Sequence, residues 1–263
     1  MAFIEIDGAA LRYDLSGSGA RTLVLVHEMG GTLESWDDVL PALAKGRRVL
    51  RYDTRGAGLS EKIRGTASID QMADEVVGLL DALGIKGNVA IAGIAVGGAI
   101  AIHFAARHAA RTGALIPMSP AVGVPPDRRA AIASAADAME TVGIRPGIDT
   151  VLQASYPPVL RGDKARFERV RNQRLGNDPG SQAAIYRMLN GMDLSADYPK
   201  ITCPTLFIAG RHDGLRPPAL VEPLAKLIKG ARVEVLETAH FMSQQTPDLV
   251  SGTMLRFLDE AGC

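Results

Sequence analysis

Along most of its length this chain alternates short runs of β-branched and aliphatic residues with longer stretches whose apolar residues recur every three or four positions. That rhythm is the strongest constraint on the fold. A strand, a helix and a second strand in succession close as a parallel pair, with the helix laid across one face of the sheet. Residues 22–27 (TLVLVH) are apolar almost throughout, as a strand covered on both faces must be. Residues 49–52, 89–93, 114–118, 205–210 and 233–236 read as further strands. Between them, Leu33, Trp36, Val39, Leu40 and Leu43 fall at helical spacing. Ser68-Ile69-Asp70-Gln71 has the pattern of a capping box, opening a helix with Ile69, Met72, Val76, Leu80 and Leu83 on one stripe and Gly84 at its end. Helices are also expected over 97–107, over about 218–228, and from Thr246-Pro247, where proline suits a first turn. Only the start departs from the rhythm: residues 3–6 and 11–15 flank a turn at Asp7-Gly8 and read as an antiparallel hairpin. The fold class is therefore α/β, a mostly parallel twisted sheet flanked by helices.

The alternation breaks from about Val124 to about Ala196, where the sequence is polar, Arg-rich and helical in period, with Pro125-Pro126 and Pro157-Pro158 as punctuation. This stretch reads as a helical cap, residues 124–196, inserted into a core made of 1–123 and 197–263. The chain's 263 residues suffice for one such core. Lys+Arg and Asp+Glu both total 29, so no net field recruits nucleic acid or an acidic membrane, and the expected partner is a small molecule. An acid in the first residues, the lack of a long apolar run and only two cysteines, Cys203 and Cys263, lead to the expectation of a cytoplasmic protein, neither exported nor anchored.

The chemistry concentrates at Gly93-Ile94-Ala95-Val96-Gly97-Gly98, between a strand and a helix, with the shape G-x-A-x-G-G. In a nucleophile elbow, flanking glycines permit a sharp turn that lifts one side chain to the top of the sheet, where the following helix N-terminus stabilises negative charge. The side chain presented here is the methyl group of Ala95, which has no oxygen to attack with. Taken alone, the same pattern is equally a tight glycine turn that packs helix against strand.

The surroundings add to this. Arg51-Tyr52-Asp53-Thr54-Arg55-Gly56-Ala57-Gly58-Leu59-Ser60 resembles the RYDTRGHGxS segment of the 3-oxoadipate enol-lactonase branch of the α/β-hydrolases, with Ala57 at the place of its histidine. Residues 68–85 are similar to that branch as well, and the resemblance spans nearly all of the chain outside the insertion. It implies an α/β-hydrolase fold whose acid follows a late strand and whose histidine precedes the last helix. Asp213 in Gly210-Arg211-His212-Asp213 and His240 in Glu237-Thr238-Ala239-His240 stand at those places, in the order elbow, Asp, His that the fold requires. The plainer alternatives are a surface turn aspartate and a structural histidine. In the catalytic reading, His240 moves the proton while Asp213 fixes its tautomer and stabilises its charged form.

His27-Glu28-Met29-Gly30-Gly31 stands where the family carries its oxyanion loop, so the backbone N–H groups of Met29 and Val96 are the expected oxyanion donors. Glu28 departs from the family, which often has glycine there. It either turns outward to solvent or an arginine, or binds a polar part of the substrate. Ser119, just past a strand end, is a candidate pocket residue or a loop cap. His103 and His108 read as packing or surface residues. No cluster with metal-ligand spacing accompanies His212, so no metal and no organic cofactor is expected. The arginines of the insertion, Arg128, Arg145, Arg161, Arg166 and Arg187, read mostly as a solvated face from which one could clamp a carboxylate.

Three accounts of Ala95 follow. The favoured one is a serine-type hydrolase of an ester, an enol-lactone by resemblance, in which an engineered alanine replaces the nucleophile and leaves the chain inactive. The alternatives are a natural ligand-binding pseudoenzyme, and an amide or carbon–carbon bond hydrolase or cofactor-free His-dependent enzyme on the same fold.

Overall fold

A computed structural model describes residues 2–263. The opening hairpin is β1 (Ala2–Ile6) and β2 (Ala9–Gly17), paired antiparallel with Ile6 opposite Ala9. The turn between them places Asp7 and Gly8 at positive φ. The remaining strands are β3 (Thr22–Val26), β4 (Arg48–Tyr52), β5 (Val89–Ile94), β6 (Thr112–Met118), β7 (Leu206–Gly210) and β8 (Arg232–Leu236). They form one eight-stranded sheet in the order β1-β2-β4-β3-β5-β6-β7-β8, parallel from β4 onward. Every residue of β3 and β5 is buried, the direct result of continuous apolar runs sandwiched between helices.

Ten helices accompany the sheet among the described residues. α1 (Leu40–Leu43), α2 (Ile69–Ala82) and α3 (Val96–Arg107) precede β6. α4 (Arg129–Val142), α5 (Ile148–Ser155), α6 (Lys164–Leu175) and α7 (Pro179–Gly191) occupy the stretch between β6 and β7, which holds no strand. α8 (Pro218–Ala225), α9 (Met242–Gln245) and α10 (Pro247–Glu260) follow. Leu79, Leu80, Ile100 and Phe104 of α2 and α3 pack on one face of the sheet, and Trp36, Leu43, Met254 and Leu258 on the other. Each face thus has its own core, and the strand residues between them are shared alternately.

Two local expectations change. Leu33 to Leu43 is not one helix but a single turn, Leu33–Trp36, followed by the short α1. Pro41 lies in the first turn of α1, where its missing N–H is tolerated, whereas deeper in a longer helix it would remove a hydrogen bond and crowd the preceding turn. Ser68 caps α2 by accepting from the Gln71 N–H at 3.5 Å, yet the Gln71 side chain does not close the box; its amide donates to Asp7 in the β1–β2 turn. Tertiary pairing wins over the local cap. The four-residue α9 before α10 was not legible in the sequence pattern.

Candidate active site

The elbow is built by close approach of backbone. A Cβ at Gly97 would fall 2.2 Å from the Val26 carbonyl oxygen, so only glycine lets α3 start against the end of β3. Ala95, just before α3, sits at φ 52° and ψ −113°, a region that L-residues avoid and that costs on the order of 1–3 kcal/mol. The surrounding ladder holds it there: its N–H donates to the Met118 carbonyl at 3.0 Å, and its own carbonyl accepts from Ala99 and Ala121. The methyl group, 5 % exposed, lines a cavity of about 230 Å³.

His240 lines the same cavity. Its Nδ1 lies 2.8 Å from Oδ2 of Asp213, whose other oxygen accepts the backbone N–H groups of Leu215 at 2.8 Å and Arg216 at 2.9 Å. A carboxylate so engaged only accepts, so the Nδ1 between them carries the proton. Burial pushes the Asp213 carboxyl up, but the charge and hydrogen bond of His240 and the Arg216 N–H outweigh it and hold the group below the usual carboxylate range. Both loops are anchored to the end of α5, where the Ala154 carbonyl accepts from Gly214 and the Ser155 carbonyl from His240. Gln245 of α9 braces the histidine loop from behind, donating to the Ser155 carbonyl and accepting the Ala239 N–H.

Met29 and Val96 flank Ala95 on the cavity wall. Val96 begins α3, so its N–H belongs to the first helical turn and has no intrahelical acceptor. The loop bearing Met29 is held by His27, whose Nδ1 donates to the Glu28 carbonyl at 2.7 Å while Nε2 accepts the Thr54 N–H at 3.0 Å. His240 thus lines one cavity with Met29 and Val96, and the braced Asp213 carboxylate stands behind its imidazole.

Two candidates lie elsewhere. Glu28 does not face the cavity. It is 1 % exposed, its carboxylate pairs with the Arg174 guanidinium of α6, and it accepts from the Ser35 hydroxyl at 3.2 Å. Ser119 is fully buried at φ 41°, beside the Asp213 carboxylate and off the cavity lining. Arg174, buried by the insertion and stacked 3.6 Å over the Phe241 ring, and Arg216, on the cavity wall, were missed in the sequence. Arg174 has no distinguishing signal within its Arg-rich helix. Arg216, three residues past Asp213, could have been suspected from that position. Of the histidines set aside, His103 bridges Asp70 and Asp197 at 2.6 Å each and His108 reaches Asp74 at 2.7 Å.

The profile of the family described as Serine aminopeptidase, S33, matches residues 17–242. The chain belongs to the α/β-hydrolase family. Among its relatives in that family is a protein of Azorhizobium caulinodans assigned as the carbamate hydrolase RutD, 30% identical over 99% of both chains. The 3-oxoadipate enol-lactonase 2 of Acinetobacter baylyi is 27% identical, with 94% of each chain covered. Among solved structures, the enol-lactonase of Burkholderia xenovorans LB400 superposes on this hydrolase-family chain with a TM-score of 0.91 at 30% identity, covering 98% of this chain and 100% of that one. No helix among the described residues is long and apolar enough to cross a membrane.

Proposed function

We propose that this chain is the frame of a serine-type hydrolase for esters or lactones, with Ala95 at the nucleophile position and acyl transfer therefore blocked. The observation that carries this reading is the Asp213–His240 hydrogen bond on the cavity that Ala95 lines. With a serine at 95, Nε2 of His240 takes the hydroxyl proton as Oγ adds to the carbonyl carbon. The oxyanion takes the Met29 and Val96 N–H groups, and the leaving alkoxide departs with the proton from His240. Water then repeats the cycle on the acyl-enzyme, with His240 as base, releasing the acid. An enol-lactone of aromatic breakdown is the leading substrate by kinship with the enol-lactonases, and the kinship to a carbamate hydrolase keeps the reacting group an acyl carbon bearing a heteroatom.

The test is Ala95→Ser, assayed beside the parent on enol-lactones, aryl esters, carbamates and cyclic amides. The expected result is turnover with an acyl-enzyme burst in the serine form only. Inactivity of both forms toward every substrate points instead to a binding protein, and turnover by the parent to a reaction run by His240 alone.

A further inference from the structure

The cavity under the inserted helices is lined by apolar side chains apart from His240, Tyr186 and two guanidinium groups. Arg128, at the end of the turn Pro126–Arg128, and Arg216 both line the chamber that holds Ala95 and His240. Neither forms an ion pair among the described residues; Arg216 gives one N–H to the Gly123 carbonyl at 3.1 Å. No carboxylate stands on the chamber wall, since Asp213 lies behind His240. Burial and the like charge of Arg128 both disfavour the charged form of Arg216, against the pull of Asp213. The half-buried Arg216, with no ion-pair partner, is relieved by an anion beside it, the exposed Arg128 adds a second cation on the same wall, and a planar carboxylate matches their forked donors.

A second chamber, of about 430 Å³, adjoins the first and shares Met29, Val151, Tyr186 and Phe241 with it. Ala138, Met139 and Val142 of α4 and Ile148 of α5 form its wall. Its charged lining residue, Arg174, is already neutralised by Glu28. A short dianion would leave this apolar volume to water, whereas an aryl ring or a medium-length alkyl chain gains by filling it.

We propose that the site takes an acidic amphiphile, with its carboxylate held by Arg128 and Arg216, its reactive carbonyl at residue 95 and its apolar group in the second chamber. The proposal rests on the reading of the site as ester- or lactone-cleaving, which it narrows to a substrate class.

Titration calorimetry on the protein as it stands tests it, with octanoate and 4-phenylbutyrate as probes against the neutral octanamide and the short dianion adipate. Both amphiphilic acids should bind about tenfold more tightly than either control. Arg216→Gln and the surface change Arg128→Gln should each erode the advantage of octanoate over octanamide. Ala138→Trp, which fills the second chamber, should abolish the advantage over adipate. Thermal melts verify folding, and the exposed Arg128 keeps the test valid if a buried change unfolds the protein. Equal binding of octanoate and octanamide, tighter binding of adipate, or no response to the arginine changes overturns the proposal. Binding needs no nucleophile, so the two readings fail separately. An inert Ala95→Ser protein that still selects octanoate sinks the hydrolase reading alone. An Ala95→Ser protein that cleaves neutral and acidic esters equally sinks this one alone.

Discussion

Glu28 and Arg174 form an ion pair with both side chains almost wholly buried, one on the loop that carries Met29 and the other on an inserted helix. Removing one partner leaves the other charge stranded in a low-dielectric interior, which typically costs about 3–5 kcal/mol. Arg174→Met should therefore destabilise the protein by that order in urea unfolding. Adding Glu28→Gln should recover part of the loss, because the double variant has no uncompensated carboxylate. A double variant as unstable as the sum of the singles would show that the stacking of Arg174 on Phe241, at 3.6 Å, matters more than the charge pairing.

Gly97→Ala drives a methyl group to 2.2 Å from the Val26 carbonyl oxygen and 2.5 Å from that of His27. Both obstacles are backbone in a fully buried region and cannot move aside. The expected loss is about 3 kcal/mol or more. A chemical denaturation midpoint within error of the parent would show that α3 can back away from β3.

His27→Phe conserves ring volume but strands the Thr54 N–H and leaves the Glu28 carbonyl only its bond from the Gly31 N–H. Leaving one such buried donor unpaired costs about 2 kcal/mol. Hydrogen exchange at Thr54 should quicken, and any activity gained by Ala95→Ser should fall, since the loop bearing Met29 loses its tether.

Asp213 fixes the sign of one pH dependence. Its carboxyl is pushed up by burial but held lower still by His240 and the Arg216 N–H, so its folded value is depressed. A depressed carboxyl adds stability that is present above its unfolded value, about 4, and is lost as pH falls through the folded value. Parent and Asp213→Asn should therefore differ in melting temperature at neutral pH and converge below about pH 4. A gap that widens on acidification would mean that Asp213 is neutral in the fold.

The parallel sheet was legible because two-sided burial leaves a local trace: residues 22–27 and 89–93 are apolar almost throughout, and the strands they form, Thr22–Val26 and Val89–Ile94, are buried at every residue. The elbow was legible for a related reason, since the glycines at 93, 97 and 98 are demanded by backbone contacts as close as 2.1 Å. Glu28 shows where local reading runs out. Of its possible partners, solvent, an arginine or substrate, the fold chooses an arginine 146 positions away, on a helix whose composition does not mark which arginine it is. Ser119, a candidate pocket residue or loop cap from its place after a strand, is fully buried at φ 41°, near Asp213 and off the cavity lining.

By itself the sequence determined the α/β architecture, the turn that presents Ala95 and the fact that this position carries a methyl group, because backbone geometry and two-faced burial are written in residues close together in the chain. Only the tertiary structure decided that Asp213 meets His240, that Arg174 neutralises Glu28, and that Arg128 and Arg216 share one wall. Long-range pairing of charges depends on where distant helices and loops come to rest, and no local pattern of residue types encodes that.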